Sequence, residues 1–173
     1  MAEAGIFSQD ERVELVDGEI LRKVTPQGTR HARAICAVAE ALRIAFGSGF
    51  HVREQLPMVL DDLSEPEPDI AVVRGSWRDY DQHPTMAVLS VEVADSTLRT
   101  DRILKARVYA RARIPEYWLV NLQEVVLEVS REPRRVANTS EWRYRTFERL
   151  RPGASVTPLE APHMEIGIDD LLA

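Results

Sequence analysis

The sequence predicts an α+β fold, a central β-sheet covered by two main helices and extended by β-hairpins. Three observations predict it. Short β-branched runs bounded by proline and polar clusters recur along the chain, as in Ile70-Ala71-Val72-Val73, Ala87 to Val93 and Tyr117 to Asn121, and these read as strands. Two other stretches place apolar residues three and four apart, the spacing of an amphipathic helix. The order is hairpin, helix, strands, helix, strand and further hairpin, without internal repeat, low-complexity stretch or linker. All 173 residues are expected to form one domain.

In order, residues 1–11 read as a frayed lead-in, and Arg12 to Val24 as a hairpin around Asp17-Gly18, a strong two-residue turn signal. Glu14 shares a strand face with Val16 and Leu21 and points inward or lies at a sheet edge. Pro26 and Gly28 close this unit. Thr29 is the expected N-cap of a helix running to about Phe46 and stopped by Gly47 and Gly49. Its apolar stripe is Ile35, Val38, Leu42 and Ala45, with His31 on the same stripe and Glu40 facing away. His51 to Leu60 alternates as a strand that Pro57 confines to an edge or a bulge. Glu54 is the anomaly on its apolar face, either paired with an arginine or lining a site.

Asp61 to Glu65 turns into Pro66-Glu67-Pro68-Asp69, and Arg74 to Thr85 is a structured loop between the next two strands. After the turn Ala94 to Thr97, Thr97 or Thr100 caps the second helix. Asp101, Lys105 and Tyr109 stack on one face of it by their spacing of four, and Ile103, Leu104, Val108 and Ala110 are expected to cover the sheet. Spacing alone makes Asp101 with Lys105 a surface i,i+4 pair. Pro115 ends this helix. Tyr117 to Asn121 is a central strand, paired with Val125 to Ser130. Trp142 to Leu150 is a further strand, and the tail adds a short strand and a terminal helical turn.

Composition narrows the function classes. With 45% apolar and 29% charged residues the chain is an ordinary globular one. It has no apolar run of membrane-spanning length and no signal-peptide pattern, so a cytoplasmic protein without a membrane partner is expected. One cysteine, Cys36, excludes an internal disulfide framework and a cysteine zinc site. The net charge of −6 argues against indiscriminate nucleic-acid binding, but residues 99–113 carry six basic side chains against Asp101 alone. Residues 131–151 carry seven arginines against three glutamates. Such asymmetry either holds an anionic polymer against an acidic floor or is a set of solvated faces. Arginine outnumbers lysine twenty to two. Lys23 lies in an edge-like segment and is assigned no role, whereas Lys105 is a compact charge that arginine cannot imitate.

Two core strands each break their apolar pattern with one carboxylate. Asp69 sits at the mouth of the first. In the second, Glu92 shares a face with Val88 and Ser90, while Leu89, Val91 and Val93 line the other. Two acids on adjacent buried strands repel and lose hydration, so they need a cation between them, most simply a divalent metal held by oxygens.

A Pro-Asp opening one strand and an acid 23 positions later on the next resemble the core of the PD-(D/E)xK nucleases. Glu14-Leu15-Val16-Asp17-Gly18-Glu19-Ile20, His31, Ser64-Glu65-Pro66-Glu67-Pro68-Asp69, Val91-Glu92-Val93 with Asp101 and Lys105, and Ile114-Pro115-Glu116-Tyr117-Trp118 resemble, in this order, the Uma-type family of restriction-endonuclease-like proteins. The likeness spans about residues 12–150. It implies a mixed central sheet and a DNA endonuclease dependent on Mg²⁺ or Mn²⁺, acting by analogy as a homodimer. Asp69 and Glu92 match the metal-binding acids and Lys105 the catalytic lysine, whereas His31, Glu14 and Asp101 match recurrent positions. His31 is expected among the catalytic residues and Glu14 among the metal ligands. Arg99, Arg102 and Arg107 would grip DNA phosphates. One departure stands out: the superfamily's lysine two residues after the second acid is Ala94 here. The alternatives are a catalytically inactive binding or assembly module on the same scaffold, and a hydrolase of RNA or another phosphodiester.

Overall fold

The computed structural model describes residues 13–23 and 28–172. The expected lead-in, Arg12, Val24 and Pro26 lie outside them. Ten strands form in chain order: β1 (Val13–Val16), β2 (Glu19–Arg22), β3 (Phe50–Glu54), β4 (Ile70–Arg74), β5 (Leu89–Ala94), β6 (Glu116–Asn121), β7 (Val126–Arg135), β8 (Trp142–Leu150), β9 (Ser155–Val156) and β10 (Ile166–Gly167). Helix α1 is Thr29–Phe46. The second helix opens as one α turn, α2 (Leu98–Thr100), widens into a π turn over Asp101–Lys105, and closes as α3 (Ala106–Arg111). A last turn, α4 (Ile168–Leu171), ends the described chain.

The main sheet runs β3-β4-β5-β6-β7-β8. It is mixed: β5 and β6 are parallel, and every other neighbouring pair is antiparallel. A parallel pair cannot be closed by a tight turn, and the second helix supplies the crossover between them. β1 and β2 form a separate hairpin, turned by Asp17 (φ 54°) and Gly18 (φ 83°), the left-handed pair that a two-residue hairpin demands.

Two apolar layers sandwich the sheet. On one face, Ala34, Ile35, Val38, Leu42 and Ala45 of α1 pack with Val52, Val72, Leu89, Val91, Val93, Trp118 and Val120. On the other, Tyr109 and Ile114 pack with Ala71, Val73, Ala94, Tyr117 and Leu119. The alternation along β5 therefore holds, with Leu89, Val91 and Val93 on the α1 face. Val88 departs from it: it precedes the strand and joins the α1 layer.

Other departures have local causes. The strand expected from His51 to Leu60 stops at Glu54 because Gln55 adopts φ 49°, and β3 is the edge strand that Pro57 implied. Glu54 takes the structural option, pairing with Arg43 of α1. The N-cap of α1 is Gly28 rather than Thr29. Ile103, expected to cover the sheet, is 59% exposed, because it lies about half a helical turn from both Asp101 and Lys105, which are the buried pair. Among the described residues no helix is long and apolar enough to cross a membrane.

Burial at these positions sets a stability contrast. Leu42→Ala is expected to lower unfolding free energy by about 2–5 kcal/mol, since Leu42 is fully buried. Glu54→Ala breaks a half-exposed ion pair and is expected to cost at most about 1 kcal/mol. Urea unfolding curves of both variants against the parent measure the difference.

Candidate active site

The antiparallel register of β4 and β5 ends with Ile70 opposite Val91. Carried one step further, it sets Asp69 opposite Glu92. Asp69 is held there by the Val93 backbone N–H, which donates to its Oδ2 at 2.8 Å. From the first turn of α1, His31 Nε2 lies 3.5 Å from the same oxygen. Glu92 rises from the middle of β5 on the face covered by the second helix, where Tyr109 donates its hydroxyl to Oε1 at 2.6 Å.

Lys105 meets three carboxylates. Its Nζ lies 2.9 Å from Glu14 Oε1, 3.0 Å from Glu92 Oε1 and 3.7 Å from Asp101 Oδ1. Asp101 and Lys105 are both buried. The expectation of a surface i,i+4 pair is thus corrected: the spacing is right, but the pair faces the sheet. The π turn that carries it is fastened by the Tyr117 hydroxyl, which donates to the Asp101 carbonyl at 3.0 Å, and Thr97 donates its hydroxyl to Asp101 Oδ2.

Glu14 arrives from outside the main sheet. Its hairpin is clamped to α3 by Asp17, which takes both Arg107 and Arg111. It is clamped to the loop before β4 by Glu65 N–H to the Leu15 carbonyl and Gly18 N–H to the Leu63 carbonyl, both 2.8 Å. The Glu67 N–H then donates to Glu14 Oε2 at 3.1 Å. Lys23, to which the sequence assigned no role, bonds the Glu67 carbonyl at 2.6 Å and pairs with its carboxylate at 3.3 Å. A cavity of about 270 Å³ opens among these groups, lined by Glu14, Lys23, His31, Asp69, Glu92 and Lys105 with the turn from Val93 to Thr97.

Electrostatics follow from the head count. Glu14, Asp69, Glu92 and Asp101 are buried, and Lys105 is the one buried ammonium among the described residues. Burial, with the charges of Asp101, Asp69 and Glu14, pushes the Glu92 carboxyl up to about 8 against the pull of Lys105. Burial likewise raises Asp101. Burial pushes Asp69 up too, but the hydrogen bonds of His31 and Val93 outweigh it and hold the carboxyl below its usual range. The bond to Asp69 raises His31 despite its burial. Burial lowers Lys105, yet the acids around it more than reverse that, so it stays charged. One ammonium cannot satisfy three carboxylates, which pushes Glu92 and Asp101 toward their protonated forms while no cation joins them.

Among the described residues no three His, Cys, Asp or Glu side chains already converge as a metal-ligating set. The ammonium of Lys105 takes the space between three of the acids. Asp69 Oδ1 and Glu92 Oε2 nevertheless carry no hydrogen bond among the described residues, and both side chains line the cavity. Two free carboxylate oxygens in a site of negative charge fit a hard divalent cation that keeps several waters.

The structure thus brings Glu14, His31, Asp69, Glu92, Asp101 and Lys105 together. It sets the three arginines apart: Arg102 grips Glu128 with two nitrogens, Arg107 is engaged by Asp17, and Arg99 is exposed. Tyr109 was missed as a site residue, although its i+4 spacing from Lys105 was the available signal.

A protein-family profile described as "Uma2: Putative restriction endonuclease" matches residues 2–168. No curated protein matches the sequence. The crystal structure of a putative nuclease belonging to DUF820 from Anabaena variabilis superposes with a TM-score of 0.70 at 18% identity, covering 98% of this chain and 94% of that one. At that identity the likeness is one of fold.

Two measurements test the charge balance. Glu92, Asp101 and His31 each bind a proton more tightly in the folded state than in the unfolded one. These three agree in sign, and His51, lowered by burial and by the charge of Arg53, opposes them: in a chelator, unfolding free energy should fall as pH rises from about 5 to 8, and Glu92→Gln should flatten the slope. Lys105→Met leaves three buried acids without their cation and should cost about 3–5 kcal/mol at pH 8, read by urea unfolding.

Proposed function

The chain belongs to the Uma2 family, and from that premise we propose that it is a divalent-metal-dependent DNA endonuclease hydrolysing phosphodiester bonds at the cavity between β4, β5 and the second helix. The observation that carries this reading is the pair of free oxygens, Asp69 Oδ1 and Glu92 Oε2, in a cavity with more buried acid than base. Those two side chains would hold Mg²⁺ or Mn²⁺, with Glu14 as a further ligand and the Val93 carbonyl as a backbone one. When bound, the ion would neutralise the surplus charge, polarise a scissile phosphate and lower the pKa of an attacking water.

The remaining work falls to the chain's own residues. Lys105 stands beside Glu92, where its ammonium would stabilise negative charge developing on the phosphate. It thereby replaces the lysine whose usual place is taken by Ala94. His31 positions Asp69, and when neutral its imidazole would accept a proton at the cavity wall. Tyr109 fixes the Glu92 carboxylate from behind. Arg99 is the basic side chain of the second helix left to meet backbone phosphates, since Arg102 and Arg107 are committed internally. By analogy with nucleases that cut the two strands of a duplex with two such centres, the working unit would be a homodimer.

One observation favours a second reading, a binding module on the nuclease scaffold: Lys105 already neutralises the acids that would otherwise draw a metal. The two readings part on metal linkage. Mg²⁺ or Mn²⁺ is expected to raise the melting temperature of the parent and to nick supercoiled plasmid, and Asp69→Asn is expected to abolish both effects. Plasmid that stays intact with either metal from pH 7 to 9, with Asp69→Asn indistinguishable from the parent, would sink the enzyme reading. Parallel digests of duplex DNA, single-stranded DNA and RNA identify the polymer, and light scattering tests the dimer.

A further inference from the structure

Among the described residues, every buried charged side chain but one faces an opposite charge. Lys105 faces Glu14, Glu92 and Asp101; Asp69 faces His31; Glu116 takes Arg131, and Glu128 takes Arg102. Arg53 of β3 has none. It is only 7% exposed, and no carboxylate lies within ion-pair distance of it among the described residues. One terminal nitrogen reaches the Pro57 carbonyl at 3.1 Å, and Nε is buried without any partner. An unanswered buried cation costs several kcal/mol by order of magnitude, so a chain that keeps one in its native state invites an anion.

The surroundings agree. Arg53 lines a cavity of about 600 Å³ together with Leu56, Val59, Thr85 and the loop Tyr80 to His83. It is separate from the carboxylate centre and shares no lining residue with it. The field of the guanidinium also reaches a neighbour: after burial, the charge of Arg53 is the main cause holding the His51 imidazole below its usual range. Gln82, His83 and Thr85, whose side chains carry N–H or O–H groups, line the same cavity, while the Tyr80 hydroxyl is spent on the Arg74 carbonyl at 2.6 Å. The arginine fork pairs two oxygens of an oxyanion, and a tetrahedral one keeps further oxygens for other donors of the lining, which a planar carboxylate does not. Asp81 is the one lining acid, and it lies outside ion-pair distance of Arg53. The volume exceeds what an ion needs, and the Leu56–Val59 wall offers an apolar surface to whatever carries it.

We propose that the cavity beside Arg53 is a phosphate-binding site, distinct from the carboxylate centre, that takes the phosphate group of a small phosphorylated molecule or of a nucleic-acid backbone. The assignment stands whether or not the carboxylate centre cleaves DNA.

Thermal unfolding at fixed ionic strength in chloride buffer tests it, with inorganic phosphate, a 5′-mononucleotide, a short DNA duplex and acetate as separate titrants. A saturable rise in melting temperature with phosphate or the mononucleotide is expected in the parent and in Asp69→Asn, and its loss is expected in Arg53→Met. Retention in Asp69→Asn separates this site from the nuclease reading. Without anion, Arg53→Met should melt no lower than the parent, because it removes an unpaired charge and keeps the apolar stem. A response to the duplex alone, lost in Arg53→Met, assigns the phosphate to a nucleic-acid backbone. Should Arg53→Met fail to fold, Arg53→Lys keeps the charge without the fork and is expected to weaken phosphate by about tenfold. A rise equal in parent and variant, an equal rise with acetate, or no saturable rise with any titrant overturns the proposal.

Discussion

The ammonium of Lys105 is shared among Glu14, Glu92 and Asp101, and the architecture around the cavity depends on that sharing. Its three partners come from a peripheral hairpin, the second helix and the centre of the sheet. Each would be a costly buried charge without it. The interaction therefore works as a three-way tie between elements that no continuous stretch of backbone hydrogen bonds joins. Because one positive charge is divided among three negative ones, the tie is under-compensated by construction. A proton on Glu92 relieves it, which couples stability to pH at this point.

Two local devices make the tie possible. The π turn over Asp101–Lys105 carries an i,i+4 pair whose two ends are buried, whereas Ile103 between them faces solvent. Its carbonyl at Asp101 is held by the Tyr117 hydroxyl from β6, so a widened turn is tied to a rigid central strand. The second device is the clamp on the hairpin. Asp17 at the tip takes Arg107 and Arg111 of α3, and the strap Ser64 to Glu67 bonds β1 from the other side. Two of the basic side chains that gave the second helix its positive character thus serve to position Glu14, and a third, Arg102, answers the buried Glu128.

The division of the charged residues follows one rule, that a buried charge must meet its opposite. At the carboxylate cavity the rule is met with acid left over, which is the condition for attracting a cation. On β3, the sheet edge beside β4, Arg53 is left over with the opposite sign. The two cavities are electrostatic complements on one scaffold, one short of positive charge and one short of negative.

The sequence by itself determined the elements and the principal acids. Period-two and period-3.6 patterns placed α1, the strands β4 to β8 and the Asp17-Gly18 turn, because these signals are local and survive without tertiary context. Asp69 and Glu92 were legible because a carboxylate inside an apolar strand has no local excuse. Whether Lys105 faced solvent or sheet was not legible: the spacing from Asp101 is the same in both cases, and only the docking of the second helix and its π turn decides between them. Nor did spacing show that Lys23 would close over Glu67, that Arg102 and Arg107 would be consumed internally, or that Arg53 would be buried without an acid. Each of these depends on which distant residue comes within a few ångströms, and distance through space is settled by packing rather than by order along the chain.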